Sequence, residues 1–89
     1  MRCIVTVIAT DRVGIIASVC SILAEQKVNI LDLSQTVLQD YFTMIMLVDT
    51  AACDVSFSEL ASLLDKAGQK EGLSIRIQRE DIFEAMHRI

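Results

Sequence analysis

Asp11-Arg12-Val13-Gly14-Ile15 joins an extended apolar run to a helix, and the fold is read outward from that junction. Upstream, Cys3 to Ala9 is nearly continuously apolar, with β-branched Ile4, Val5, Thr6, Val7 and Ile8. That composition suits a central strand covered on both faces. Downstream, Ile15 to Glu25 has helical periodicity. Ile15, Ile16, Val19, Cys20, Ile22 and Leu23 fall in one broad stripe, with Ser18, Ser21 and Glu25 opposite. A glycine-containing turn between strand and helix aims free backbone N–H groups outward, and the helix dipole favours negative charge there. The junction is therefore a seat for a small anion.

Lys27 closes the helix with a charge that complements the dipole, and Val28-Asn29-Ile30 opens a second extended run. Asn29 to Leu38 and Tyr41 to Asp49 read as two strands joined by the short polar link Gln39-Asp40. That link lacks the Asn-Gly or Asp-Gly signature, so the hairpin rests on length and alternation. In the second strand Phe42, Met44, Met46 and Val48 line one face, and Tyr41, Ile45 and Leu47 the other, so both faces ask for cover. Ser56 and Glu59 form a capping box, with Val55 and Leu60 placed as its hydrophobic staple. Phe57, Leu60, Ala61, Leu64 and Ala67 then recur at helical spacing, and Gly68 or Gly72 ends the helix. Leu73, Ile75 and Ile77 alternate with Ser74, Arg76 and Gln78 as a half-buried strand. Asp81 and Glu84 are placed to start a short C-terminal helix carrying Ile82, Phe83 and Met86.

The order is βαββαβ. With right-handed crossovers it gives an α+β, ferredoxin-like fold: a four-stranded antiparallel sheet with two helices on one face and a short C-terminal helix. Residues 1–89 form a single domain. A chain this short buries only roughly 60–65% of its unfolded surface, yet 53% of its residues are apolar. The bare sheet face and the apolar excess together predict a homodimer or higher homo-oligomer.

Charge and cysteine usage narrow the function. The net charge is −4, and the eight Lys and Arg are scattered rather than clustered. The aromatics are few: Tyr41, Phe42, Phe57 and Phe83. Neither pattern suits nucleic acid. Cys3, Cys20 and Cys53 are odd in number and contain no CxxC, so neither a disulfide framework nor a metal site is expected, and no cofactor. His87 has no second imidazole to join it. Asp11 interrupts the first apolar run too early for a signal peptide, and no run approaches a membrane span. These features point to a cytoplasmic protein with no membrane partner.

Several stretches together resemble a known family. They are Thr10-Asp11-Arg12-Val13-Gly14-Ile15, Val28-Asn29-Ile30-Leu31-Asp32, Ser34-Gln35-Thr36-Val37 and Tyr41-Phe42-Thr43-Met44. In this order, across essentially the whole chain, they resemble the ACT domains, small regulatory modules that commonly bind amino acids. The likeness is greatest to the short stand-alone bacterial and archaeal members related to the glycine-cleavage regulator. Val13 stands where that family usually has proline, and it restores a backbone donor to the turn. The resemblance implies a ligand site at a subunit interface. It would be built from Asp11, Arg12, Val13, Gly14 and Ile15 of one chain and Asn29, Ile30 and Leu31 of the same or the facing subunit.

Each of these residues also has a purely structural reading. Gly14 lets the chain turn before the helix. Asp11 serves as a helix N-cap or as the counter-ion of a ligand ammonium. Arg12 is a solvated loop charge or a clamp for a carboxylate or phosphate. Asn29 bonds the backbone where the strand begins, or recognises a ligand. Ile30 and Leu31 are core or pocket wall. The three cysteines, with Met44, Met46 and Met86, read as packing side chains. Three functions compete on this basis. The first is a non-catalytic regulatory module binding an amino acid or similar small anion at a homodimer interface. The second is an interaction module with no small ligand. The third is an acylphosphatase-like hydrolase using Arg12 and Asn29, for which a single glycine offers too poor a phosphate cradle.

Overall fold

The computed structural model describes residues 1–10 and 14–82, and of Ile15 the backbone alone. Six elements follow in order: β1 (Arg2–Thr10), α1 (Ile15–Glu25), β2 (Asn29–Leu38), β3 (Tyr41–Asp49), α2 (Phe57–Glu71) and β4 (Ser74–Arg79). The strands form one antiparallel sheet in the order β2-β3-β1-β4, the split βαβ arrangement. Residues 80–82 take helical backbone, Asp81 accepting the Ile82 N–H at 2.9 Å. Glu84, Phe83, Met86 and His87 lie outside the described residues.

Alternation sorts the sheet into two faces. Cys3, Val5, Val7 and Ala9 of β1, Phe42, Met44, Met46 and Val48 of β3, and Ile75 and Ile77 of β4 are all buried. They form one core with Val19 and Leu23 of α1 and Leu60 and Leu64 of α2, so both helices cover the same face. The two central strands are therefore covered on that face only. On the other, Ile8, Tyr41 and Ile45 are exposed, against the expectation that β1 is covered on both. Neither helix is left to cover them.

Local chemistry sets where the elements end. Ser56 Oγ accepts the Glu59 N–H at 3.2 Å, as the capping box requires, and Leu60 is buried beside half-buried Val55. Of the two glycines that could end α2, Gly72 does so, at φ 74. The Leu73 N–H reaches back to the Gly68 carbonyl at 2.7 Å and the Gly72 N–H to that of Gln69 at 3.4 Å, a Schellman closure. Gly68 stays inside the helix, buried, where a Cβ would stand 2.8 Å from the Leu73 carbonyl oxygen. A second Schellman closure ends α1. The Val28 N–H bonds Leu23 O at 2.9 Å and the Lys27 N–H bonds Ala24 O at 3.0 Å. Here a lysine, Lys27, takes the left-handed position at φ 59. Ile16 lies in the apolar stripe of α1 yet is exposed, because it stands in the first turn beside exposed Gly14.

Candidate functional site

The turn after β1 and the start of β2 were the two halves of the site expected from sequence. Gly14 has φ 87 and occupies the N-cap of α1, its carbonyl accepting the Ser18 N–H at 3.0 Å. The cap position is thus Gly14 and not Asp11, because the helix begins only at Ile15. Ile15, Ile16 and Ala17 lie ahead of that first i→i−4 bond, so their N–H groups point out of the helix end. A Cβ on Gly14 would meet nothing within 4 Å, so its left-handed φ requires the glycine, not crowding. Asp11, Arg12, Val13 and the Ile15 side chain lie outside the described residues.

Asn29 begins β2, exposed, opposite Asp49 of β3. Ile30 is half-buried against the core, and Leu31 is 46% exposed. The register of β2 on β3 slips between Ile30 and Asp32, which makes Leu31 the extra residue of a β-bulge. No glycine or proline marks that bulge, so sequence reading missed it. Asp49 stands among opposite charges: its Oδ1 lies 3.4 Å from the Met1 N-terminal ammonium, and Arg2 is its register partner on β1. The Ala51 N–H donated to it at 2.9 Å holds its carboxyl below the usual carboxylate range. The Asn29 end of the sheet therefore presents a carboxylate beside an amide side chain.

Register decides how these halves relate. Thr10, Tyr41 and Leu38 lie at one end of the sheet, and Arg2, Asp49 and Asn29 at the other. Gly14 follows Thr10 at the first end; Asn29 stands at the second. Eight residue steps of β1 separate those ends, roughly 26 Å. A single chain does not bring the turn and the strand start together.

Two features beyond those halves emerge only in three dimensions. All of β2 except Ile30 is exposed, including Leu33, Val37 and Leu38, so this edge strand is uncovered on both faces. On the helix-free face Ile4, Ile45 and Leu47 floor a shallow depression of about 150 Å³, walled by Asp32, Leu33 and Ser34 of β2. Among the described residues no group of His, Cys, Asp or Glu is placed to hold a metal ion. The cysteines are unpaired. Cys3 is buried, which pushes its thiol pKa up, while Cys20 and Cys53 are half-buried.

Comparison with known proteins agrees with this architecture. A family profile described as ACT domain matches residues 2–78. A UPF0237 protein of Clostridium acetobutylicum is 57% identical over 89 residues, covering 100% of both chains. An ACT domain protein from Streptococcus pneumoniae superposes with a TM-score of 0.84 at 41% identity, over 98% of each chain. A putative glycine cleavage system transcriptional repressor shares the fold with a TM-score of 0.73 at 23% identity, over 86% of this chain and 44% of that one.

Proposed function

The chain belongs to the ACT-domain family, and from that premise we propose that it is a non-catalytic regulatory module. In this reading it binds an amino acid, or a similar small anionic metabolite, between two copies of itself. The observation that carries the reading is the roughly 26 Å between the two half-sites within one chain. Antiparallel pairing of β2 with the β2 of a second copy exchanges the ends. It sets Asn29, Ile30 and Leu31 of one copy at the end where the partner's Gly14 stands, and it does so twice. Among the described residues β2 is an edge strand with no strand on its outer side, which suits that pairing.

The two halves suit the two ends of an amino acid. Amides at the mouth of α1 that have no intrahelical acceptor attract a carboxylate, reinforced by the helix dipole. The opposite half offers the Asn29 amide, whose oxygen accepts from an ammonium. Asp11 and Arg12, which precede Gly14 in sequence, are the further ligand contacts proposed on the first side. The ligand holds two copies together, and that bias on association is the regulatory output.

The spacing also weighs against the hydrolase reading, because Arg12 follows Thr10 at one end and Asn29 stands at the other. Uncovered β2 favours one rival, an interaction module in which the edge serves a partner and the turn binds nothing. We propose a single-domain cytoplasmic protein; no helix among the described residues is long and apolar enough to cross a membrane.

Thermal unfolding across the common amino acids and small carboxylates tests the reading. A ligand at a hundred times its Kd stabilises by about 2.7 kcal/mol, a Tm rise of roughly 10 °C or more in a domain this size. Asn29→Ala should abolish that rise without lowering the unliganded Tm. If no metabolite moves the Tm, the module does not sense this class of ligand and the interaction reading stands.

A further inference from the structure

The chain leaves β4 on the helix-free side of the sheet. Ile75 and Ile77 are buried in the core, so Ser74, Arg76 and Gln78 alternate onto the other face, and Glu80 follows in the same phase. On β1, Arg2 shares that face with Ile4, because Cys3 and Val5 point into the core. The Arg2 guanidinium meets the Glu80 carboxylate at 3.1 Å, with the Glu80 side chain only 28% exposed. Arg2 stands on the strand inboard of β4, so this pair turns the exit of β4 inward, across the sheet. Arg79 holds the next residue, Asp81, at 2.8 Å. Residues 80–82 are helical, and Ile82 is exposed. Phe83-Glu84-Ala85-Met86-His87-Arg88-Ile89 follows in sequence. Counted on at helical spacing from Ile82, Phe83, Met86 and Ile89 fall in one apolar stripe with it, at i+1, i+4 and i+7. The surface inboard of the exit is apolar as well. Ile4, Ile45 and Leu47 floor the depression of about 150 Å³, and the Ile4–Leu47 row is the one next to Arg2 on this face.

We propose that residues 83–89 are a strap that closes over this depression from within the chain, with Phe83 above Ile4 and Met86 above Leu47 and Ile45. The dimensions agree. A helix from Glu80 to Met86 advances about 9 Å, and β3 lies two strand spacings, about 10 Å, from β4. His87 and Arg88 then come to the border with β2, where Asp32 is the strand's single charge. Asp32 makes no ion pair among the described residues; its carboxylate accepts the adjacent Leu33 N–H at 2.8 Å. The Arg2–Glu80 pair fixes the strap's origin beside the depression. Its effective concentration there is on the order of millimolar, ahead of any free partner at micromolar concentration. A closed strap shields the apolar floor and uses no part of the β2 edge, so association through that edge is unaffected by it.

The test is NMR of the isotopically labelled full chain, whose aromatic residues are Tyr41, Phe42, Phe57 and Phe83 and can be assigned one by one. Nuclear Overhauser contacts from the Phe83 ring to the methyl groups of Ile4, Ile45 or Leu47 are expected, and their absence overturns the strap. In a mixture of labelled and unlabelled chains, the same contacts seen between copies instead of within one overturn it too, because the segment then covers a neighbour. Arg2→Glu and Glu80→Arg should each weaken those contacts about three-fold or more, and the Arg2→Glu/Glu80→Arg double variant should restore them. Single variants without effect overturn the origin assigned to the strap. Phe83→Glu/Met86→Glu should keep the native circular dichroism and bind a hydrophobic dye about three-fold more strongly than the parent chain, through the floor it uncovers. Equal dye binding by the two chains shows that nothing was shielded and overturns the closure.

Discussion

Gly68 and Lys27 are the two positions where side-chain identity and backbone demand collide most sharply. Gly68 sits inside α2, where alanine would ordinarily gain up to about 1 kcal/mol of helix propensity. Its missing Cβ, however, leaves room for the Leu73 carbonyl oxygen, 2.8 Å from where that atom would be. A backbone oxygen held by the turn cannot swing aside, so Gly68→Ala should destabilise the fold by about 1–3 kcal/mol, measured by urea denaturation. Lys27 is the reverse case. It holds φ 59, a region that costs an ordinary residue about 1–2 kcal/mol, and its ammonium–Asp54 pair at 3.1 Å is solvent-exposed and weak. Lys27→Gly should therefore raise stability by about 0.5–1 kcal/mol, even after the entropy glycine adds to the unfolded chain. Cys3 allows a chemical check at the same scale. Buried and with a raised pKa, it should react with a thiol reagent far more slowly than half-buried Cys20 and Cys53, and catch up only on unfolding.

Elements were legible in the sequence to the degree that their signals were local. The Ser56–Glu59 cap, the stripe of α2 and the alternation of β4 are each written within a few residues, and each stands where expected. Ser56→Ala should accordingly cost about 1 kcal/mol, by the loss of the bond to the Glu59 N–H. The hairpin link carried no turn signature, yet Leu38 pairs with Tyr41 around it, with Gln39 at φ 53. Signals that depend on a neighbour were not legible. The bulge at Leu31 arises where β2 adjusts to β3, and nothing in the residues themselves announces it. The choice between Gly68 and Gly72 as helix stop needed the contact of Gly68 with Leu73, which only the packed helix and strand create. Of the candidate site, sequence located Gly14 and Asn29 as positions. It did not give their separation, because that is a property of strand register.

Among the described residues the molecule is a lopsided sheet, helix-covered on one face and bare on the other, with ten-residue β2 at one edge and six-residue β4 at the other. Alternation along β1 and β3 told which residues lie together but not that both helices choose the same side. Long apolar runs read equally well as strands covered twice. That ambiguity resolves once the crossovers are right-handed, since both then return over the same face. In the proposed assembly, burying this apolar surface makes association part of the stability of a chain of 89 residues. The Tm of the full chain should rise with protein concentration, and the outward amides of β2 should show hydrogen-exchange protection at high concentration that Val37→Lys removes.

The two borders of the sheet are unlike, and that difference limits how far assembly can go. β4 is six residues long, has Ile75 and Ile77 packed under α2, and carries Arg76 and Arg79, while β2 runs ten residues with Asp32 as its single charge. A strand that joins β2 to its own twin consumes the sticky border of both molecules at once. What remains outermost on either flank is a short strand carrying Arg76, with Arg79 already paired to Asp81 at 2.8 Å, a poor template for further growth. In the proposed assembly, pairing through β2 therefore ends at two copies, and sequence changes that lengthen or neutralise β4 are those that would let it grow further.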